Sequence, residues 1–176
     1  MTLSPLAGRL AGPGRVLLVA SALAVALGSA RADTPATEAE ITTRNEAVVR
    51  DAFADWAGGR YVFADLLAAD VVWTIHGSGP VAGTYNGVDD FIERASGPLT
   101  SRLATPVVPD VHEIWAEGDT VIIRFDGSAT TTSGAPYENQ FVWIFRMADG
   151  KVIQAEAFLD LVAYQEVVDN NKPRED

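Results

Sequence analysis

The chain has no cysteine among its 176 residues. That excludes a thiol nucleophile, a thiolate-bound metal and any disulfide, so stability has to come from the core and from partner subunits. Histidine is nearly absent as well: His76 and His112 stand alone, without the close-spaced partners a metal site needs. No metal or other cofactor is expected. Basic residues are few, 13 against 24 acidic, for a formal net charge of −11. Such a balance argues against nucleic acid or an anionic lipid surface as a partner. Beyond Leu27 no run is apolar enough to span a bilayer, and no internal repeat suggests a solenoid. The tetrapeptide His76-Gly77-Ser78-Gly79 lacks the G-x-S-x-G pattern of a serine hydrolase elbow and follows the wrong kind of element.

What is present begins with an N-terminal targeting pattern. Arg9 and Arg15 precede the apolar run from Val16 to Leu27, and Ala30-Arg31-Ala32 offers small residues where a signal peptidase reads. Residues 1–32 read as a signal peptide, 33–37 as a linker, 38–168 as one domain and 169–176 as a polar, frayed tail. The protein is then exported, periplasmic or secreted, with no membrane association after cleavage. Cleavage would remove three of the 13 basic residues and none of the acidic ones, leaving 10 against 24 and a net charge of −14.

Along the domain, Thr37 and Glu40 have capping-box spacing. Ile41, Val48, Ala52, Phe53 and Trp56 then recur at helical intervals until Gly58-Gly59. A shorter helix is predicted over 61–69 and a strand over 71–76, followed by glycine-containing loops at 77–80 and 83–87. Asp89 and Asp90 open another helix with Phe91, Ile92 and Ala95 as its buried side. From Val107 the pattern is all strand, a four-stranded antiparallel meander. Leu161 to Val168 closes the chain as a short helix. The fold class is α+β, with helices packed on one face of a curved antiparallel sheet.

The hairpin from Tyr137 to Asp160 organises the rest, because Asp149-Gly150 is a two-residue turn of the kind that needs positive φ at both positions. With Ala148 opposite Lys151, a regular register pairs Ile144 with Ala155, Val142 with Ala157 and Gln140 with Leu159 on one face. The other face carries Phe145, Trp143, Phe141 and Phe158, with Tyr137.

This order of elements resembles the nuclear transport factor 2-like superfamily, and within it the SnoaL-like group. The carriers are VVWTIHGSGPVAGTYNG, AEGDTVII and FVWIFRMADGKVIQAEAFLD, and the likeness covers roughly residues 38–168. It implies a cone-shaped domain with a pocket between sheet and helices, frequent dimers through the outer sheet face, and members that are isomerases, cyclases, dehydratases, epoxide hydrolases or plain binders. In ketosteroid isomerases the two ionisable positions correspond to Thr74 or Ile75 and to about Val142, none of which can ionise. In limonene epoxide hydrolases an Arg-x-Asp pair corresponds to Arg124 and Asp126, but the second aspartate falls at Ala157 and the water-holding pair at Trp73 and about Ile75. The aspartate of SnoaL-like cyclases has Asp160 as its nearest candidate. Because Val142 and Ala157 fall at pocket positions, the resemblance implies that the aliphatic face lines the cone and the aromatic face lies outside.

On that view Asp126, held by Arg124, is a candidate general base, and His76 at the end of the first strand is a candidate proton carrier. Whether Arg124 and Asp126 face the pocket depends on the length of the loop from Thr132 to Pro136. Tyr61, Trp73 and Tyr85, with Val142 and Ala157, are candidate ligand-binding residues, and an aromatic wall suits a small, flat, hydrophobic ligand. Phe141, Trp143 and Phe145 would make a homodimer interface on the outer face. Two readings follow: a pocket protein with acid/base chemistry, or a ligand-binding or dimeric module without catalysis.

Overall fold

The computed structural model describes residues 35–175, so the expectations for residues 1–32 lie outside the described residues. Helix α1 (Glu38–Ala57) starts with the capping box predicted for it, Thr37 and Glu40 satisfying each other's backbone donors. It is followed by α2 (Phe63–Leu66), β1 (Leu67–Ile75), β2 (Gly83–Asn86) and α3 (Val88–Phe91). A π-helical turn (Ile92–Ser96) and α4 (Gly97–Thr100) continue α3 without a break. Strands β3 (Val108–Glu117), β4 (Thr120–Thr130), β5 (Pro136–Ala148) and β6 (Lys151–Leu159) form the meander, and α5 (Leu161–Asn170) follows. The six strands make one sheet in the order β2-β1-β6-β5-β4-β3, with β1 parallel to β6 and every other neighbour antiparallel. The α+β architecture, a curved open sheet with helices on its concave face, is the one expected. Among the described residues no helix is long and apolar enough to cross a membrane.

Three local expectations change. The helix predicted over 61–69 shrinks to four residues, because Leu67 already enters β1. The loop predicted over 83–87 contains β2, which pairs Tyr85 with Trp73 and Thr84 with Thr74. The tail is held in place: Arg102 Nε donates to the Asn171 carbonyl at 3.0 Å, Thr132 Oγ1 to the Lys172 carbonyl at 2.8 Å, and the Arg174 backbone N–H to Ser101 at 2.8 Å.

The largest correction concerns the faces of the hairpin. The turn forms as predicted, with Asp149 at φ 49° and Gly150 at φ 76°, and Ala148 does pair with Lys151. The register then slips between Met147–Val152 and Arg146–Gln154, so Ile153 is one extra residue on β6. With a side-chain period of two, one extra residue exchanges the faces of everything beyond it. Trp143 now lies opposite Ala157 and Phe145 opposite Ala155. This aromatic face is the concave one: Phe145 is fully buried, Trp143 and Phe141 nearly so, all within the monomer. Val142 and Ile144 stand on the convex face with Glu156 and Phe158. The aliphatic lining and the aromatic dimer face drawn from the regular register are therefore reversed.

A second bulge acts the same way on β3. Val111 pairs with Phe125 and Ile114 with Ile123, both toward the helices, which leaves His112 as the extra residue turned outward. Helix α1 packs over β3 and β4, burying Val49 and Phe53, and its Asn45 and Thr42 bind the Gly118 backbone at 2.9 and 2.8 Å. The π-helical turn has a direct cause. Pro98 cannot donate to a helical carbonyl, and the turn widens so that Gly97 N–H reaches Ile92. A Cβ on Gly97 would meet the Ile92 oxygen at 2.7 Å, so this close approach requires glycine.

Candidate functional site

The concave face and the helices enclose a cavity of about 480 Å³. Its floor is aromatic for a reason visible in the strands: β6 contributes Ala155 and Ala157 between the bulky residues of β1 and β5, so Trp73 and Trp143 meet across them at 5.0 Å, edge to face. Trp56 stacks 5.9 Å from Trp143, and Phe91 stacks 4.2 Å from Trp73. Phe63, Ile75, Phe141 and Leu159 complete the floor, and Ile92, Ala95, Ser96, Leu99 and Thr100 supply one wall. The mouth is marked by exposed lining residues: Tyr61, Ala104, Thr105, Pro106 and Arg174. Tyr164 fixes the wall from behind, its hydroxyl donating to the Ala95 carbonyl at 2.7 Å.

The lining is poor in ionisable groups. Among the described residues it includes no carboxylate, imidazole or lysine; its titratable side chains are Tyr61 and Arg174. Partial desolvation at the apolar mouth raises the Tyr61 phenol from its ordinary value although the residue as a whole is exposed, so it stays a neutral hydroxyl at physiological pH. The indole N–H groups of Trp73 and Trp143 are buried without an acceptor in the protein. No cluster of three or more His, Asp or Glu side chains able to hold a metal occurs among the described residues.

The residues singled out in the sequence divide between two surfaces. Tyr61, Trp73 and Ala157 line the cavity. Tyr85 is buried beside it rather than in it, its hydroxyl donating to the Val81 carbonyl at 2.7 Å under the Arg94 guanidinium. Val142 belongs to the convex face, as do Arg124 and Asp126. The loop between β4 and β5 pairs Arg124 with Val142 and Asp126 with Gln140, one of the registers that would have turned the pair inward had the aliphatic face been the lining. Asp126 accepts from Arg124 Nη1 at 2.6 Å and lies 2.9 Å from His112 Nε2. The Arg124 hydrogen bond, aided by His112, holds its carboxyl below the usual carboxylate range. His76 lies 3.0 Å from Glu156 and stacks on Phe158 at 4.6 Å, again outside. Asp160 caps α5, accepting from the Val162 and Ala163 backbone, while buried Asn139 grips its main chain.

Reasoning from sequence missed the wall from Ile92 to Thr100, the strip from Leu103 to Val107, the inward Phe141 and Trp143, and Arg174. Pro98 inside a helical pattern was an available signal for the wall. Nothing in the sequence marks Arg174.

The family profile for the SnoaL-like domain matches residues 46–155, more than half of the chain. The chain belongs to the SnoaL-like family. Similar solved structures include Bal32a from a soil-derived mobile gene cassette, at 19% identity over 72% of this chain and 97% of that one, with a TM-score of 0.59. A SnoaL-like polyketide cyclase candidate from Jannaschia sp. is 22% identical over 75% and 96% of the two chains, TM-score 0.58. TerC, co-crystallised with polyporic acid, is 22% identical over 72% and 98%, TM-score 0.58. At these identities the likeness shows the nuclear transport factor 2-like fold. No curated protein matches the chain at a significant level.

Proposed function

We propose that this SnoaL-like protein binds a small, flat, hydrophobic molecule in the aromatic cavity and performs no acid/base chemistry there. One observation carries the reading: the cavity is walled by Trp56, Phe63, Trp73, Phe91, Phe141 and Trp143, while its described lining has no carboxylate or imidazole to move a proton. General acid/base catalysis needs such a group within hydrogen-bond reach of the substrate. Asp126 and His76, the ionisable candidates of the sequence, are on the far side of the sheet. TerC, crystallised with polyporic acid, is a precedent for a ligand on this fold. We also infer a homodimer through the convex face, for which exposed Trp115 and Phe158 are the support.

The binding reading is tested with Nile red, a neutral dye whose fluorescence rises in apolar surroundings. The wild type is expected to enhance it saturably. Ala157→Leu, which extends a lining side chain into the cavity, should weaken binding at least about ten-fold, as loss of a well-filled apolar subsite does. Dye binding untouched by Ala157→Leu would place the ligand elsewhere and end this reading.

A further inference from the structure

We propose that Arg174, delivered by the C-terminal tail, is the anion-binding end of the cavity, so that the preferred ligand is a flat apolar molecule carrying a carboxylate or similar anionic group. The inference rests on the binding reading above and narrows its ligand class.

Arg50, Arg60, Arg94, Arg124 and Arg146 each form a salt bridge with a carboxylate. Arg44, Arg102 and Arg174 form none among the described residues, and of these three it is Arg174 that lines the cavity. Its Nη1 donates instead to the main-chain carbonyls of Thr100 and Leu103, whose residues also line the cavity. Carbonyl oxygens fix a guanidinium without cancelling its charge. A guanidinium has five N–H donors in a rigid fork, so Nη1 anchors the group while Nε and Nη2 remain available for planar recognition of an anion.

The mount is rigid as well. The backbone N–H of Arg174 donates to Ser101, and the carbonyls of Asn171 and Lys172 are held by Arg102 and Thr132. The ordering cost of the tail is met by the fold before a ligand arrives, which favours affinity. The rest of the described lining has no charge to compete, and the polar side chains it offers, Tyr61, Ser96, Thr100, Thr105 and the indoles, can all donate. On a protein of net charge −11, a cation with no carboxylate partner among the described residues, set at the mouth of an apolar cavity, selects anions locally that the surface as a whole repels.

Calorimetric titration of the purified protein with 2-naphthoate and with its neutral methyl ester tests this. In the wild type the carboxylate should bind about ten-fold tighter than the ester, the usual scale for a hydrogen bond to a charged group. Arg174→Gln should abolish that preference and leave ester affinity within about two-fold, while Arg174→Lys keeps part of it. Equal wild-type affinity for the two ligands, or a preference that survives Arg174→Gln, overturns the assignment of Arg174 and leaves the cavity reading standing. Failure of the wild type to bind either ligand overturns the cavity reading itself. If Arg174→Gln loses the ester too, salt decides: the wild-type preference must shrink as sodium chloride is raised, and a salt-independent preference rules Arg174 out.

Discussion

Asp126 shows how little a residue pair says about its side of a sheet. Arg124-x-Asp126 puts both side chains on one face, as period two requires, and they meet at 2.6 Å. The carboxylate is nonetheless a poor candidate base, because hydrogen bonds from Arg124 and His112 stabilise its charged form. The same bonds make it a source of pH-dependent stability. Its folded-state pKa lies below the ordinary 3.8, so its contribution is present above that value and lost as pH falls through the lower folded value. Asp126→Asn should accordingly lower the urea midpoint at neutral pH, and the gap to wild type should close below about pH 4. Parallel urea curves from pH 7 down to pH 2 would check this; a constant gap would show that the amide acts through packing. Tyr137 has the opposite sign. Burial pushes its phenol up to about 12, so its contribution holds below the ordinary value of 10 and is lost as pH rises from there through about 12.

At the scale of elements, period, cap and turn chemistry made most of the fold legible. The Thr37 capping box, the 3.6-residue face of α1, Asp149-Gly150 and the strand-only second half all reappear in the structure. The face assignment did not follow from them, because a bulge has no reliable signature in a strand whose composition is already suited to pairing. The run from Val152 to Phe158 alternates imperfectly: Val152, Ala155 and Ala157 are buried, while Ile153 and Gln154 are both exposed. Exposed Ile153, read as an ordinary strand position, hides the extra residue. Three of the eight candidate site residues were lost with it, since Val142, Arg124 and Asp126 stand on the convex face, while Trp143 turned inward. Deleting Ile153 tests the importance of the bulge. Removing the extra residue leaves Met147 opposite Val152 and Arg146 opposite Gln154, so Ala155 and Ala157 keep the concave face and Glu156 and Phe158 the convex one. The deletion should therefore keep a cooperative thermal transition by circular dichroism, and Ile153→Ser should stay within about 0.5 kcal/mol of wild type. A deletion variant that loses its cooperative transition would mean that the bulge itself, and not only the register beyond it, holds the sheet together.

Across the whole molecule, the two sheet faces have different needs. The concave face is covered by α1, the helical stretch 88–100 and α5, and the aromatic side chains of β5 find their partners there. The convex face has no helix over it among the described residues. Rows of paired positions cross it: Trp115, Ile122, Ile144 and Glu156 in one, and Glu113, Arg124, Val142 and Phe158 in the next, with His76 stacked on Phe158. Trp115 is 53% and Phe158 42% exposed, with Ile122, Val142 and Ile144 half-buried between them. Contiguous apolar surface of this kind costs about 25 cal/mol per Å² left in water, and a second copy is its simplest cover, because an isologous interface lets one patch serve both sides. In the proposed dimer the interleaved charges would fix the register of the pair, with Arg124 and Arg146 already neutralised by Asp126 and Asp119 and so inexpensive to bring together. Trp115 would be its anchor, since large exposed aromatics carry a disproportionate share of interface energy. Trp115→Glu should weaken dimerisation by roughly 2 kcal/mol or more, about thirty-fold in Kd, and leave Nile red binding intact because the cavity is on the other side of the sheet. Light scattering across a concentration series reads the first effect and dye titration the second. A wild type that stays monomeric at the highest concentrations would remove the dimer, and a Trp115→Glu variant that remains fully dimeric would move the interface to another surface.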